Sequence, residues 1–153
     1  GLPAGLSVIW ATGKGQFADY ARHEGPRVRV RPYIAPMTEA YAAADLAIAR
    51  AGAMGTAELC AWGIPMLLVP LPTAAADHQT VNARALAEAG AALWLRQSET
   101  DAERLDREVR ALLADDARLA ALARGASERG RPEAAESIAR RVLALAQLKR
   151  IRK

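Results

Sequence analysis

Residues 48–70 have the sequence IARAGAMGTAELCAWGIPMLLVP, in which a glycine-rich turn and a helical segment lie between two apolar runs. The apolar runs, 46–49 and 66–70, have the length of buried strands. Between them a helix is predicted over 56–62, and the Gly-Ile-Pro at 63–65 separates it from the second strand. A strand, a crossover helix and a second strand in so short a span predict two parallel strands of an α/β sheet.

The same alternation continues on both sides of this unit. It predicts a Rossmann-like parallel sheet with helices on both faces, the α/β class in which ligands bind beyond the carboxyl ends of the strands. Strands are predicted at 6–11, 27–34, 46–49, 66–70 and 91–95, and helices at 15–25, 36–43, 56–62, 78–90 and, as two or three amphipathic segments, within 101–149.

The composition is typical of one globular domain. The chain has 153 residues, of which 52% are hydrophobic and 25% charged, which is enough for one core and too short for two ordinary domains. Its single cysteine, Cys60, excludes an internal disulfide and favours the cytoplasm. We find no membrane-spanning run and no signal-peptide pattern. The first residues, Gly-Leu-Pro without a methionine, suggest either processing or truncation of a longer protein.

The net charge of +4 comes mostly from the two ends of the chain, because the middle third is slightly acidic. The terminal LKRIRK, residues 148–153, carries four cations. Such a tail can contact nucleic acid or an anionic membrane surface. A solvated helix end whose cations complement the helix dipole is the alternative that we favour. Nucleic acid is disfavoured because the basic residues are not interleaved with aromatic ones.

The turn after the strand at 46–49 is a candidate anion site. Gly52 and Gly55 let the backbone approach a ligand, and Thr56 is expected to cap the helix that follows. The free N–H groups at a helix start suit a diphosphate. Glu58, expected on the first helical turn, can accept hydrogen bonds from both hydroxyls of a ribose. Alternatively, the glycines only form the turn and Glu58 only complements the helix dipole.

Two further loops carry polar or aromatic candidates. In PLPTAAADHQTVNA, residues 70–83, Asp77 is expected to be a plain helix cap, whereas the amides of Gln79 and Asn82 suit sugar hydroxyls because amides both donate and accept. His78 is either a ligand contact or a surface residue. In RPYIAPM, residues 31–37, an aromatic at a strand end can lie beside a nucleobase. No pair of His or Cys has metal-ligand spacing, so no metal site is expected.

Taken in order, the motifs GKG, Y-I-x-x-M, R-A-G-A…E-L, G-x-P, D-H-Q…N-A and AGAA resemble those of the MurG family. Members of this family are the UDP-N-acetylglucosamine:N-acetylmuramyl-(pentapeptide) pyrophosphoryl-undecaprenol N-acetylglucosaminyltransferases of bacterial peptidoglycan synthesis. The resemblance extends from about Ser7 to Ala146. It implies the GT-B fold, in which two Rossmann-like domains face each other across a cleft, and it assigns this chain to the C-terminal, donor-binding half.

The resemblance also implies roles for single residues. The Ile34 backbone, with Tyr33 beside it, matches the segment that recognises uracil, and Glu58 matches the acid that holds the ribose hydroxyls. Met54–Gly55–Thr56 matches the helix start that faces the diphosphate, although family members often have Ser-Thr where this chain has Met54-Gly55. Gln79, with His78 beside it, matches the amide that contacts N-acetylglucosamine. The expected substrate-binding residues are Tyr33, Ile34, Met54, Gly55, Thr56, Glu58, His78, Gln79 and Asn82, with no catalytic residue, metal ligand or cofactor in this chain.

The resemblance implies that 1–153 is a single, partial UDP-sugar domain. The acceptor-binding domain and the first strand with its glycine-rich loop are expected to lie outside the chain, and the loss of that central strand exposes apolar edges on its neighbours. The intact enzyme would be cytoplasmic and peripheral on the inner face of the cell membrane, transferring GlcNAc from UDP-GlcNAc to a lipid-linked acceptor. Alternatives are a donor-binding subunit of a split transferase, another UDP-sugar enzyme such as a UDP-GlcNAc 2-epimerase, and a plain anion-binding module.

Overall fold

A computed structural model describes residues 2–151 of the chain, and its side chains through residue 147. The cations of the LKRIRK tail, which we predicted to end a helix or contact a surface, therefore lie outside the described side chains. The strands are β1 (Val8–Ala11), β2 (Val28–Arg31), β3 (Ala47–Ala49), β4 (Met66–Leu68) and β5 (Ala92–Trp94). The α-helices are α1 (Phe17–Tyr20), α2 (Met37–Ala42), α3 (Ala53–Trp62), α4 (His78–Glu88), α5 (Ala102–Leu113), α6 (Asp116–Arg129) and α7 (Ala134–Ile151), with 3₁₀ turns at Ala21–His23, Ala75–Asp77 and Gln97–Glu99.

The five strands form two parallel sheets. β1 pairs with β2, and a second sheet has the order β3-β4-β5, with Ala47 opposite Met66 and Met66 opposite Ala92. The prediction of parallel strands linked by helices is confirmed. In the described part of the chain, β1 and β3 each have a single paired neighbour.

The three-stranded sheet carries the core on both of its faces. One face packs Met66 and Leu68 against α3 and α4, including Leu59 and Leu86. On the other face, Leu67 packs in a second cluster that contains three leucines from later in the chain, Leu95, Leu112 and Leu122. Because α5 contributes Leu105, Val109 and Leu112 at helical spacing, its apolar side is buried in this second cluster.

Within the described residues, the two-stranded sheet has one covered face and one face with exposed side chains. Val30 is buried, and the ring of Trp10 lies 4.8 Å from that of Tyr20 in α1. The opposite face presents Ile9, which is 47% exposed, and the exposed Arg29. The alternation of apolar and exposed residues along β1 and β2 follows from this arrangement.

Most predicted boundaries lie within two residues of the observed ones, but three are wrong by more. α3 begins at Ala53 rather than residue 56, because Gly52 takes an extended conformation and its carbonyl already accepts a hydrogen bond from the Thr56 amide. β2 ends at Arg31, so residues 32–34 belong to a loop. The helix predicted at 15–25 is the short α1, which tightens into the 3₁₀ turn Ala21–His23.

The third of the three amphipathic helices, α7, leaves the body of the domain. Its apolar side chains Ile138, Val142, Leu143 and Leu145 are each about 60% exposed. Pro132 lies two residues before its first residue, Ala134. Within residues 2–151, no helix is both long enough and apolar enough to cross a membrane.

Candidate functional site

The loop after β3 connects directly to the first turn of α3 at the carboxyl end of the sheet. Ala51 is completely buried in this loop, and Gly52 precedes the helix with φ −69° and ψ 140°. The amides of Ala53, Met54 and Gly55 come before the first intrahelical hydrogen bond, and all three residues are exposed, Met54 by 79%. The helix start therefore presents open backbone N–H groups at its positive end, which suits an anion.

Thr56 lies inside the helix and not at its cap, which corrects the prediction for this residue. It is only 5% exposed, and its hydroxyl donates to the carbonyls of Gly52 at 2.9 Å and Ala53 at 3.2 Å. Its amide also donates to Gly52. Both polar groups of Thr56 are thus used within the first turn, and the open donors are those of the three residues before it.

Glu58 lies on the second turn of α3, contrary to the prediction that it occupies the first. The first turn contains no acidic residue, which weakens the alternative that Glu58 complements the helix dipole. Its side chain is exposed, and its Oε2 accepts a hydrogen bond of 2.6 Å from the hydroxyl of Tyr41 in α2. The pKa of Tyr41 is raised to about 12, first because the ring is partly desolvated and second because of this hydrogen bond.

Gln79 and Asn82, on the first and second turns of α4, both bind the buried residue Ala51. The Gln79 side-chain oxygen accepts from the amides of Ala51 at 3.2 Å and Leu71 at 3.0 Å. The Asn82 side-chain amide donates to the Ala51 carbonyl at 3.0 Å. These two side chains satisfy both backbone polar groups of a fully buried residue, so they join the loop after β3 to the start of α4. The role of both residues as sugar contacts stays a prediction.

The residues that start α4 do not form the simple cap predicted from the sequence. Asp77 precedes the helix in the left-handed region, with φ 53°, and its carboxylate accepts from the hydroxyl of Thr80 at 2.6 Å instead of from a backbone amide. His78 is exposed, and its Nδ1 lies 2.7 Å from the carbonyl oxygen of Ala75. The imidazole is therefore held at the loop with its other nitrogen, Nε2, turned away from that contact.

Arg50 connects three loops at the carboxyl edge of the sheet. One guanidinium nitrogen, Nη1, lies 3.0 Å from the carbonyl oxygen of Val69, 3.4 Å from that of Pro70 and 2.5 Å from the Gln97 side-chain oxygen. These partners follow β4 and β5, whereas Arg50 follows β3. Arg50 therefore links the residues that precede α3 to those that precede α4. The sequence prediction assigned no role to this arginine. Its position directly after a strand is the signal that could have identified it.

Tyr33 and Ile34 lie in the loop between β2 and α2. Tyr33 is 68% exposed, so it is not the core aromatic that a strand end usually carries, and Ile34 is partly buried. The loop leads into α2, whose Tyr41 contacts Glu58, and this helix is the link between the two candidate regions. Tyr41 itself carries no sequence signal, because nothing in the spacing relates residue 41 to residue 58. Among the described residues, no group of three or more His, Cys, Asp and Glu could hold a metal ion.

Comparison with known proteins shows the family to which this domain belongs. The profile of the glycosyltransferase family 28 C-terminal domain matches residues 4–138, most of the chain. The chain belongs to this family. A curated relative from Salinibacter ruber, named UDP-N-acetylglucosamine--N-acetylmuramyl-(pentapeptide) pyrophosphoryl-undecaprenol N-acetylglucosamine transferase, is 50% identical over 143 residues, covering 92% of this chain and 38% of the relative. A relative of the same name from Methylococcus capsulatus is 53% identical over 138 residues, covering 88% of this chain and 39% of its own.

Solved structures place this family 28 domain in the C-terminal half of the GT-B glycosyltransferases. The crystal structure of Acinetobacter baumannii MurG superposes with a TM-score of 0.77 and 32% identity, covering 90% of this chain and 41% of that one. The glycosyltransferase VinC, solved with dTDP, has a TM-score of 0.65 over 84% of this chain and 38% of its own at 17% identity, which shows the fold alone. The domain spans about two-fifths of the length of the curated relatives that it matches. The resemblance to the MurG family and the predicted fold class are therefore confirmed.

Proposed function

We propose that the chain binds UDP-GlcNAc as the donor half of an inverting glycosyltransferase. The whole enzyme would transfer GlcNAc to the lipid-linked muramoyl-pentapeptide acceptor of peptidoglycan synthesis. The observation that carries this proposal is the open start of α3 at Ala53–Gly55, with the exposed carboxylate of Glu58 one turn further, in a domain of glycosyltransferase family 28. Relatives that are 50% and 53% identical to the chain over the aligned residues are named for this transferase. A nucleoside diphosphate sugar has both groups that such a surface suits, a diphosphate and a ribose.

Within this proposal the donor lies across the loops at the carboxyl ends of the strands. The Ile34 backbone and the Tyr33 ring take the uracil, and Glu58 accepts hydrogen bonds from the ribose hydroxyls. Since the Thr56 amide and hydroxyl are used inside α3, we assign the diphosphate to the backbone N–H groups of Ala53, Met54 and Gly55. His78, the free side-chain N–H₂ of Gln79, and Asn82 lie at the sugar end, where Gln79 and Asn82 also hold Ala51.

The chemistry assigned to the donor half is electrostatic. A hydroxyl oxygen of the acceptor sugar attacks the anomeric carbon of GlcNAc, the bond from that carbon to the diphosphate oxygen breaks, and UDP leaves with the electron pair. The proton of the attacking hydroxyl passes to a base that we assign to the acceptor domain, which the family 28 C-terminal domain does not include. Backbone N–H groups at a helix start stabilise the negative charge that develops on the diphosphate, without reorganisation during the reaction. These N–H groups also hold the donor in place, which keeps its anomeric carbon oriented for the attack.

We further propose that a strand from outside the described residues lies between the two sheets. β1 and β3 each have a free edge there, and Ile9 and Ile48, one on each strand, are 47% and 51% exposed. An unpaired parallel edge with apolar side chains favours pairing with another strand. A longer chain that includes such a strand is expected to unfold at a higher urea concentration than this chain. An equal urea midpoint would contradict the proposed strand.

The assembled enzyme would be cytoplasmic and peripheral on the inner face of the membrane.

Calorimetric titration of the folded chain with UDP-GlcNAc, and in parallel with UDP-GalNAc, tests the donor proposal. Saturable binding that prefers UDP-GlcNAc is expected. Glu58→Ala removes the acceptor of the ribose hydroxyls, which is expected to cost about 1.5–3 kcal/mol of binding free energy, about tenfold or more in Kd. Glu88→Ala is the matched control, because Glu88 is an exposed acid at the far end of α4.

Three outcomes would contradict the proposal, and each points to a different alternative. Equal weakening by Glu58→Ala and Glu88→Ala would remove Glu58 from the site. Binding of inorganic phosphate as tight as that of UDP would favour a plain anion-binding module. Preference for another nucleotide sugar over UDP-GlcNAc would favour a different sugar-nucleotide enzyme of the same fold.

A further inference from the structure

The hydrogen bond between Tyr41 and Glu58 joins two helices at the proposed ribose site. Tyr41 lies on α2 and Glu58 on α3, and the phenol oxygen is 2.6 Å from the Glu58 Oε2. The Tyr41 ring packs against the main core cluster and lies 6.0 Å from the ring of Trp62, the last residue of α3. The phenol is thus fixed by packing, whereas the carboxylate that it contacts is exposed to solvent.

An exposed glutamate without a fixed partner samples many rotamers, and a ligand that binds it must then restrict them. A tyrosine hydroxyl that is held in place and donates to one carboxylate oxygen removes much of that freedom before the ligand arrives. A phenol is protonated throughout the physiological range, so Tyr41 can donate this hydrogen bond there.

The carboxylate keeps enough acceptor capacity for a ligand. An ionised carboxylate has about four lone-pair positions, and Tyr41 occupies one of them on Oε2. Oε1 and the second lone pair of Oε2 stay available, which matches the two adjacent hydroxyls of a ribose. We infer that Tyr41 is a positioning residue, which orients the Glu58 carboxylate toward the two ribose hydroxyls of the donor. This inference rests on the proposed donor site.

The test compares UDP with 2′,3′-dideoxy-UDP on wild-type chain and on Tyr41→Phe, by calorimetric titration. The variant keeps the ring and removes only the hydroxyl. It is expected to weaken UDP binding about two- to tenfold, by releasing the Glu58 rotamers, and to leave 2′,3′-dideoxy-UDP binding unchanged. In a Glu58→Gln background, Tyr41→Phe is expected to weaken UDP binding less than it does in the wild type. Tyr20→Phe is the matched control, because Tyr20 lies in α1 and its ring packs on Trp10 of β1.

The outcomes separate this inference from the function on which it rests. Equal loss of affinity for both ligands in Tyr41→Phe would mean a general structural role and would overturn the inference. Unchanged UDP binding in a wild-type-like fold, confirmed by circular dichroism, would overturn it too. If the wild-type chain binds UDP and 2′,3′-dideoxy-UDP equally, or binds neither, the proposed ribose site itself is wrong and the role of Tyr41 is refuted with it.

Discussion

Asn82 and Gln79 hold Ala51 through opposite hydrogen-bonding roles, so replacing each by its matching acid is expected to affect stability differently. Asn82 donates to the Ala51 carbonyl, whereas Gln79 accepts from the Ala51 amide. Replacing an amide by a carboxylate of the same shape removes a donor and keeps an acceptor. Asn82→Asp is therefore expected to destabilise the fold, and Gln79→Glu to be tolerated.

The magnitude follows from the burial of Ala51, which has no exposed surface. A buried carbonyl that loses its donor costs about 1–3 kcal/mol, and a carboxylate oxygen facing it at about 3 Å adds repulsion. We expect Asn82→Asp to lose about 2–3 kcal/mol of unfolding free energy at pH 7. Gln79→Glu keeps its two backbone hydrogen bonds, which become charge-assisted, and places an acid on the first turn of α4. Its unfolding free energy is expected to stay within about 1 kcal/mol of the wild type, because these gains offset the cost of partial burial.

Urea unfolding followed by circular dichroism measures both variants under one set of conditions. The reasoning requires a lower midpoint for Asn82→Asp with an unchanged slope, since the slope reports the surface exposed on unfolding. Equal losses in the two variants would contradict the separate donor and acceptor roles of Asn82 and Gln79. A stable Asn82→Asp together with an unstable Gln79→Glu would show that the donor and acceptor roles are reversed.

Three further measurements test other parts of the structure. Gly125→Ala is expected to cost about 1–3 kcal/mol of stability, because the new Cβ would overlap the carbonyl oxygen of Gly90 and lie 2.6 Å from its carbonyl carbon; a urea midpoint at or above wild type contradicts this. Alkaline titration by tyrosinate absorbance should lose its phase near pH 12 in Tyr41→Phe, since the raised pKa means that the hydrogen bond is present below pH 10 and lost as pH rises through 12; retention of that phase refutes the assignment. The pKa of Glu24 is lowered from 4.5, chiefly because its carboxylate accepts a hydrogen bond from the backbone N–H of Val30 in β2. Glu24→Gln should therefore destabilise the chain at pH 7, and progressively less as pH falls below about 4.5. A loss of stability that does not depend on pH would contradict this role of Glu24.

Much of the fold follows from local pattern. The apolar runs that become β4 and β5 are continuous because these strands are covered on both faces, whereas Ile48 of β3 is 51% exposed. The length of these runs alone distinguishes them from helices. The break between the two sheets could not be predicted this way, since hydropathy reports burial and not which strand is the neighbour. The alternation in β2 is visible in VRVR, and it correctly indicates one solvated face of this strand.

The site was predictable as a region but not in its internal contacts. Glycines after a strand correctly indicated the turn that precedes α3. The predicted helix start is three residues too late, because threonine usually caps a helix when it lies near the helix start. The bond of Thr56 back to Gly52 depends on the exact start of the helix, which sequence patterns define least well. The Tyr41 contact with Glu58 could not be found at all, because it arises from the packing of two separate helices and no sequence spacing relates the two residues.

The division into two sheets has a consequence for how the domain opens. With no ladder between β1 and β3 among the described residues, the β1–β2 lobe and the β3–β5 lobe form separate cooperative units, and amide hydrogens in the smaller lobe should exchange first. The loop of Tyr33 belongs to the smaller lobe and the start of α3 to the larger one. A nucleotide that contacts both lobes would slow amide hydrogen exchange in the smaller lobe more than in the larger one. Its binding would thereby couple the unfolding of the two lobes.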